Sequence, residues 1–128
     1  IYGNTFAEFT NKGAEVLTVI TNDDWWGDTP GYKQHFHFSR LRALENRRWL
    51  ARSANTGFSG FINSRGDIIA KSQFKIETAM QMAVVKSSEK TFYTEFGDFI
   101  GRIFAFVTAL LIVFGIVKMI RNKVKAKA

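Results

Sequence analysis

The chain has 128 residues, no cysteine and a formal net charge of +7. This length is typical of one domain, and the lack of cysteine excludes disulfides and thiolate metal sites. Residues 1–98 carry 12 basic and 11 acidic side chains, whereas residues 99–128 carry six basic side chains and no acidic one. Because the first 98 residues are nearly neutral, the composition argues against nucleic acid as a partner.

The first half of the chain predicts a helix, a strand, a loop and a longer helix. Their predicted ranges are 4–13, 15–20, 22–31 and 31–50. The strand is a nearly continuous apolar run, which is typical of a strand covered on both faces. Thr29 and Pro30 suit the N-cap and first position of the longer helix.

Two apolar stripes run along the longer predicted helix. One contains Phe38, Leu41 and Leu44 with His37 among them, and the other contains Phe36, Ala43 and Leu50. Two stripes predict a helix contacted on two sides, as in a layered fold. The same placement predicts that His37 is a core histidine and that Glu45 pairs with Arg48, three residues later.

The second half predicts β structure. Residues 57–63 and 67–71 are β-like runs joined by the turn signal Asn63-Ser64-Arg65-Gly66, which predicts a hairpin. Apolar and polar residues alternate over 74–84, which predicts a half-buried strand. Together these elements predict an α/β or α+β layered domain over 1–98.

The last 30 residues predict a membrane span. Residues 103–117 contain no charge, and a helix over 102–120 would be about 28 Å long, close to the thickness of a hydrocarbon core. A buried core helix is the alternative. Basic residues after the span place the tail 121–128 in the cytoplasm and the domain on the other side. The predicted division is therefore 1–98, a transmembrane helix at 99–120, and a basic tail at 121–128.

Several short motifs resemble one family when they are taken together. They are Ile20-Thr21-Asn22-Asp23, Trp25-Trp26-Gly27-Asp28, Gln34-His35, the run from Arg40 to Arg48, Arg52-Ser53-Ala54-Asn55-Thr56-Gly57 and Ile62-Asn63-Ser64-Arg65-Gly66. In this combination, followed by an apolar span, the chain resembles the C-terminal portion of the apolipoprotein N-acyltransferases. These are the membrane branch of the nitrilase, or carbon–nitrogen hydrolase, superfamily.

The resemblance implies the C-terminal half of a nitrilase-like αββα sandwich followed by one transmembrane helix. It implies a bacterial inner-membrane enzyme with a periplasmic domain, a phospholipid acyl donor and a lipoprotein acceptor. Acyl transfer to the N-terminal amine of the lipoprotein would pass through a cysteine thioester, with a Glu-Lys-Cys triad and no cofactor. That triad would lie upstream of Ile1, so we expect a fragment that lacks the N-terminal half of its own protein and is inactive alone. The alternative is a non-catalytic, membrane-anchored binding or scaffold module.

The sequence offers a set of substrate-pocket candidates and no metal site. Asn22 and Asp23 follow a buried strand at its carboxyl end, where α/β folds place ligands, although a turn with Asx hydrogen bonds is the alternative. The two tryptophans could line an acyl-chain pocket or the headgroup zone, or belong to the core. His35 and His37 point to different sides of a helix, which argues against a metal pair. The candidates are Asn22, Asp23, Trp25, Trp26, Gly27, His35, Arg52 and Asn55.

Overall fold

The computed structural model of the protein describes residues 2–125, with side chains for residues 2–123. The elements in chain order are α1 (Gly3–Asn11), β1 (Val16–Thr21), a 3-10 turn (Asp24–Trp26), α2 (Gly31–Asn46), β2 (Trp49–Ala54), β3 (Gly60–Ile62), β4 (Ile68–Lys71), α3 (Phe92–Phe96) and α4 (Phe99–Lys125). This order confirms the mixed α/β class. The chain divides after Gly97 into two units, of which the second contains α4.

One four-stranded sheet, in the order β1-β2-β3-β4, forms the centre of the first unit. β1 and β2 are parallel, and their register pairs Val16 with Trp49 and Thr21 with Ala54. The other pairs are antiparallel. The predicted hairpin is present between β3 and β4, with Gly66 in the left-handed region at φ 80°. Because β1 and β2 run the same way, their carboxyl ends lie at the same edge of the sheet.

The core lies on one face of this sheet, beneath α2. It contains Leu17, Val19, Leu50 and Ile62 from the strands with Phe36 and Ala43 from α2. The alternate residues of β1 point the other way, and Ile20 is 90% exposed. The prediction that this strand is covered on both faces is therefore wrong for residues 2–125, because these residues cover only one face of β1.

Helix α2 is shorter than predicted and is covered on one side. It ends at Asn46 because Arg47 adopts a left-handed conformation at φ 50°, so Leu50 belongs to β2 instead. Pro30 rather than Thr29 occupies the N-cap. Glu45 forms an ion pair with Arg42 at 3.0 Å, and its pairing with Arg48 stays a prediction.

The two apolar stripes of α2 differ in burial. Tyr32, Phe36 and Ala43 are buried against the sheet. Phe38, Leu41 and Leu44 are 43–48% exposed, and His37 is exposed with them. The predictions of two-sided contact and of a core His37 are therefore wrong, because the sheet covers only the first stripe.

The predicted strand at 74–84 is also wrong. No helix or strand lies between residues 72 and 91. Lys75 turns the chain with φ 57° and donates its backbone N–H to the Thr56 carbonyl at 2.9 Å. Ile76 and Val85 are exposed. A strand requires a neighbour along its edge, and alternation alone does not provide one.

Arg48 ties this irregular segment to the sheet. Its side chain is buried, and it donates to the carbonyls of Ala14 at 2.8 Å and Asn46 at 3.1 Å and to the Ser87 hydroxyl at 3.3 Å. It also donates to the Glu89 carbonyl. Burial lowers the pKa of Arg48, and the nearby charges of Glu15 and Glu89 oppose that shift. One guanidinium thus joins the connection between α1 and β1, the end of α2 and residues 87–89.

The pKa of Asp67 depends on a hydrogen bond within the hairpin turn. The Asn63 amide donates to the Asp67 carboxylate at 2.9 Å, and this hydrogen bond is the main reason that the pKa of Asp67 lies below its ordinary value. The charge of Arg65 contributes in the same direction. Any stability from this carboxylate is therefore present above the unfolded-state pKa and is lost as pH falls through the lower, folded pKa.

We expect NMR titration of Asp67 to give a midpoint below about 3.9, the model-peptide value. Asn63→Ala should move that midpoint upward, whereas Ser64→Ala, which keeps Asn63 and Arg65, should leave it in place. An unchanged midpoint in Asn63→Ala would show that another group controls the carboxylate.

Helix α4 is a continuous apolar helix. Its segment Phe99–Lys123 is the only one among the described residues that is long and apolar enough to cross a membrane. Residues 100–123 are exposed. The helix continues beyond the predicted end at residue 120, and residues 126–128 of the predicted tail lie outside the described residues.

A charge at the centre of α4 should oppose membrane insertion. Leu111→Arg is expected to raise the apparent free energy of insertion by about 2.5–3.5 kcal/mol relative to a neutral residue. Glycosylation mapping of the segment in microsomes measures this change. Leu111→Phe is the matched control and should insert like the parent. Equal insertion of the arginine variant would show that α4 is not held in a hydrocarbon core.

Candidate functional site

Polar side chains from three elements meet at the carboxyl edge of the two parallel strands. Asp23 lies two residues after β1, Arg52 lies within β2, and His35 and Ser39 lie one turn apart on α2. Asn55 follows the end of β2. We call Asp23, His35, Ser39, Arg52 and Asn55 the edge cluster.

Asp23 is the centre of the edge cluster and is fully buried. Its two carboxylate oxygens accept from Nη2 of Arg52 at 3.0 and 2.7 Å. Its backbone N–H donates to Oδ1 of Asn55 at 2.9 Å. A buried carboxylate is costly unless it is paired and hydrogen-bonded, and here it is both.

We assign the proton of the His35 ring to Nδ1 from the shorter of the two contacts that this nitrogen makes. Nδ1 of His35 lies 2.8 Å from Oδ1 of Asp23 and 3.1 Å from Nη2 of Arg52. An ionised carboxylate can only accept, so the shorter contact is a hydrogen bond only if Nδ1 carries the proton. The imidazole is thus oriented by Asp23, and Nε2 is the nitrogen left for other contacts. The His35 side chain is 19% exposed.

Arg52 is buried, and each of its three guanidinium nitrogens donates a hydrogen bond. Nε donates to the Phe58 carbonyl at 3.1 Å, and Nη1 donates to the Ser39 hydroxyl at 2.9 Å. Space beside the ion pair is limited, because a Cβ at Gly57 would collide with the Asp23 carboxylate. Glycine at position 57 therefore permits the close approach of the loop after β2 to Asp23.

The loop after β1 is fixed by side-chain amides. Oδ1 of Asn22 accepts from Nδ2 of Asn55 at 2.7 Å and from the backbone N–H of Asp24 at 3.0 Å. The predicted Asx turn is therefore present at Asn22, and Asp23 forms the buried ion pair with Arg52. Ligand contact by Asn22 or Asp23 stays a prediction. The 3-10 turn that follows begins from this fixed point.

The two tryptophans differ in their relation to the edge cluster. Trp26 is half-exposed, and its ring centroid lies 6.2 Å from that of His35. Trp25 is 83% exposed. Gly27 ends the turn at φ 49°, a conformation that favours glycine. Of the eight predicted residues, Asn22, Asp23, His35, Arg52 and Asn55 come together, Trp26 flanks them, and Trp25 and Gly27 do not join them.

Sequence reasoning missed Ser39 and Gly57. Ser39 lies four residues after His35, and this spacing places both on one face of α2. The edge cluster contains a carboxylate, an imidazole and a guanidinium, but no nucleophile with an activating base. Among residues 2–125, no group of three His, Asp or Glu side chains lies close enough to hold a metal ion.

Isosteric variants of His35 test which nitrogen matters. Asparagine can place an amide N–H near the position of Nδ1, whereas glutamine reaches toward Nε2. We expect His35→Gln and His35→Ala to cost about 1.5–3 kcal/mol, the value of a hydrogen bond to a charged group, and His35→Asn to cost less than half of that. Hydrogen exchange at the β1 amides measures the change, with exposed His37→Asn as the control. Equal losses in all three His35 variants would contradict the assigned tautomer.

Comparison with known proteins identifies the family of the chain. Residues 1–91 match the carbon-nitrogen hydrolase family, which is more than half of the chain and includes every residue of the edge cluster. The chain belongs to the carbon–nitrogen hydrolase family.

Individual members of the carbon–nitrogen hydrolase family show a closer similarity. The chain is 37% identical over 100 residues to an apolipoprotein N-acyltransferase of Chlorobaculum tepidum, covering 78% of this chain and 19% of that protein. It is 30% identical over 123 residues to that of Haemophilus influenzae, covering 96% and 23%. For that of Rickettsia bellii the values are 36% over 117 residues, covering 88% and 22%. The resemblance predicted from the motifs is confirmed, and the chain spans about a fifth of the length of these relatives.

Proposed function

We propose that the chain is the C-terminal part of an apolipoprotein N-acyltransferase. The observation that carries the proposal is the extent of the similarity. The hydrolase family match ends at residue 91, whereas the similarity to the Haemophilus influenzae protein covers 96% of the chain and so includes most of α4. A carbon–nitrogen hydrolase domain continuous with a matching apolar helix supports the membrane branch of the family.

The proposed reaction moves an acyl chain from a phospholipid to the N-terminal amine of a lipidated lipoprotein through a cysteine thioester. The chain contains no cysteine, so a thioester cannot form on its own residues. We therefore assign the Glu-Lys-Cys triad to a portion of the protein that precedes Ile1, and we expect residues 1–128 to be inactive alone. The edge cluster would stabilise the fold rather than react with substrate, since its charges are paired with one another.

The exposed face of the sheet supports the proposal that another part of the same protein covers it. Thr18, Ile20 and Ser53 are exposed there, and a groove of about 350 Å³ is lined by residues of β1, β2 and β3 together with Thr78 and Met80. A domain of about 97 residues with one sheet face open buries little apolar surface for its size. We assign this face to the first half of an αββα sandwich, contributed by the N-terminal half of the same protein.

The proposed location follows from α4 and its charges. A span over Phe99–Lys123 would place the first unit on one side of the bacterial inner membrane. The basic residues after the span favour the cytoplasm for that end and the periplasm for the hydrolase unit. The periplasmic side is where a lipoprotein acceptor and the outer-leaflet phospholipid donor would be available.

The experiment is acyl labelling of the complete gene product. The protein is reconstituted with a phospholipid carrying a labelled acyl chain, and the adduct is mapped by mass spectrometry before and after treatment with neutral hydroxylamine. We expect a hydroxylamine-sensitive adduct on a cysteine upstream of Ile1, and none within residues 1–128. Prior alkylation of thiols is the control and should abolish the adduct.

The absence of cysteine also supports a second candidate, a membrane-anchored binding or scaffold module. A complete gene product that folds and is monodisperse but forms no adduct would favour this candidate. An adduct on a residue of the chain itself would contradict both proposals.

A further inference from the structure

An apolar groove lies on the outer side of α2, away from the sheet. It has a volume of about 490 Å³ and is lined on one side by Phe38, Leu41 and Leu44 and on the other by Arg65 and Gly66 of the hairpin turn. Each of the three apolar side chains is nearly half exposed. Among the described residues of unit 1, 2–97, none covers the exposed parts of these three side chains, although contact with water is unfavourable for them.

Positively charged side chains lie at two edges of this groove. Nε of Arg40 donates to the Gly66 carbonyl at 2.8 Å, which holds the guanidinium at the edge of the groove. Arg65 forms the other edge, with a side chain that is 77% exposed and an ion pair to Asp67 at 3.2 Å. Lys33 is exposed one turn before His37 on the same face of α2. Two guanidinium groups and one carboxylate therefore border the apolar groove, and Lys33 adds a further positive charge nearby on α2.

We propose that this groove docks the hydrolase unit onto the surface of a bilayer that contains anionic phospholipid. A basic rim beside Phe and Leu side chains is the composition of helices that lie in the membrane interface, with apolar groups among acyl chains and cations at the headgroups. The proposal goes beyond the acyl-transfer proposal, because it concerns a surface of α2 and requires no chemistry.

The connection to α4 favours a bilayer as the occupant. Unit 1 ends at Gly97, and α4 begins at Phe99, so no linker separates them. A protein tethered in this way meets lipid headgroups at a high effective concentration, and even weak contacts with them are populated. Cations near an anionic surface each add to the attraction.

Charge argues against a second copy of the chain on this surface. A two-fold symmetric contact through α2 would place the same patch of each copy against the other. Arg40 and Arg65 of one copy would then face the same two cations of the other, and like charges brought together disfavour association. An anionic bilayer presents the opposite sign.

Spin labelling tests the proposal in the complete gene product, reconstituted into nanodiscs of phosphatidylglycerol or of phosphatidylcholine alone. A nitroxide is placed at Leu41 in the groove, and a control nitroxide at Glu8, which is exposed on α1. We expect the Leu41 label to become accessible to oxygen and shielded from a nickel chelate in phosphatidylglycerol, while the Glu8 label stays accessible to nickel. Neutralising each arginine, by Arg40→Gln or Arg65→Gln, should lower the ratio of docked to undocked protein about fivefold.

Each remaining outcome overturns the proposal. A Leu41 label that stays accessible to nickel in both lipids shows that the groove faces water. A label shielded from both reagents in both lipids shows that protein covers it, and dipolar broadening between labels identifies that protein as a second copy. None of these readouts depends on acyl transfer, so the docking proposal and the acyltransferase proposal can fail separately.

Discussion

Replacing Asp23 with alanine is expected to lower the stability of the hydrolase unit by about 3–5 kcal/mol, because it leaves the buried guanidinium of Arg52 without its partner. Both side chains of the pair are fully buried, and Nη2 of Arg52 lies 2.7 Å from Oδ2 of Asp23. The variant also removes the acceptor of the His35 Nδ1 proton. Hydrogen exchange at the amides of β1 and β2 measures the loss, since these amides report opening of the parallel pair.

Two comparisons separate the buried ion pair from general effects of mutation. Arg65→Ala breaks an exposed pair with Asp67 and should cost less than about 1 kcal/mol. Adding Arg52→Met to Asp23→Ala removes the unpaired charge and should recover part of the loss. If Asp23→Ala were as mild as Arg65→Ala, the pair would not stabilise the edge of the sheet.

Replacing Arg48 with methionine should produce the second large effect. Methionine keeps most of the aliphatic volume but removes every hydrogen bond that the guanidinium donates, to Ala14, Asn46, Ser87 and Glu89 among others. A buried carbonyl left without a donor costs about 1–3 kcal/mol, so we expect a total loss of roughly 2–4 kcal/mol. The loss should be concentrated in residues 86–91, where Arg48 makes the buried side-chain contacts with Ser87 and Glu89. The exposed Lys86–Glu15 ion pair and the hydrogen bond of the Thr91 hydroxyl would remain.

Hydrogen exchange resolved by peptide shows where the Arg48 variant loses protection. The Ser87 amide, which donates to the Glu15 carbonyl at 3.3 Å, should exchange much faster. Arg47→Met, at an exposed neighbouring position, is the control and should change little. Uniform loss across the whole unit, without a maximum near Ser87, would show that Arg48 supports the core generally.

The sequence predicts the helices and strands of this fold better than it predicts where α2 ends or which side chains are buried. The helix beginning near Gly31 and the turn from Asn63 to Gly66 have strong local signals, namely a proline at the start and a glycine at the end. The end of α2 has none, because Arg47 takes a left-handed conformation without a glycine, and Leu50 fits both the helical period and the strand. Burial depends on which other layers are present, and so Ile20 cannot be assigned from β1 alone.

The edge cluster follows the same rule. Asn22 and Asp23 are predictable because they follow a strand, and the parallel pairing brings Arg52 and Asn55 to the same edge. Ser39 is not predictable, since a serine within a helix has many possible partners. The exposure of Leu41 was missed because a helical period shows that a stripe is apolar but not which of two stripes meets the sheet.

The positive charges near the end of α4 should stabilise the helix itself, besides favouring the membrane orientation proposed above. The carbonyl groups of the last turn carry a partial negative charge, and cations near them stabilise a helix. Lys118, Arg121 and Lys123 lie within or close to the final turns of α4. Removing them to reverse the orientation of the chain would also weaken the end of the helix. A topology experiment should therefore move these charges to the other end of the span rather than delete them.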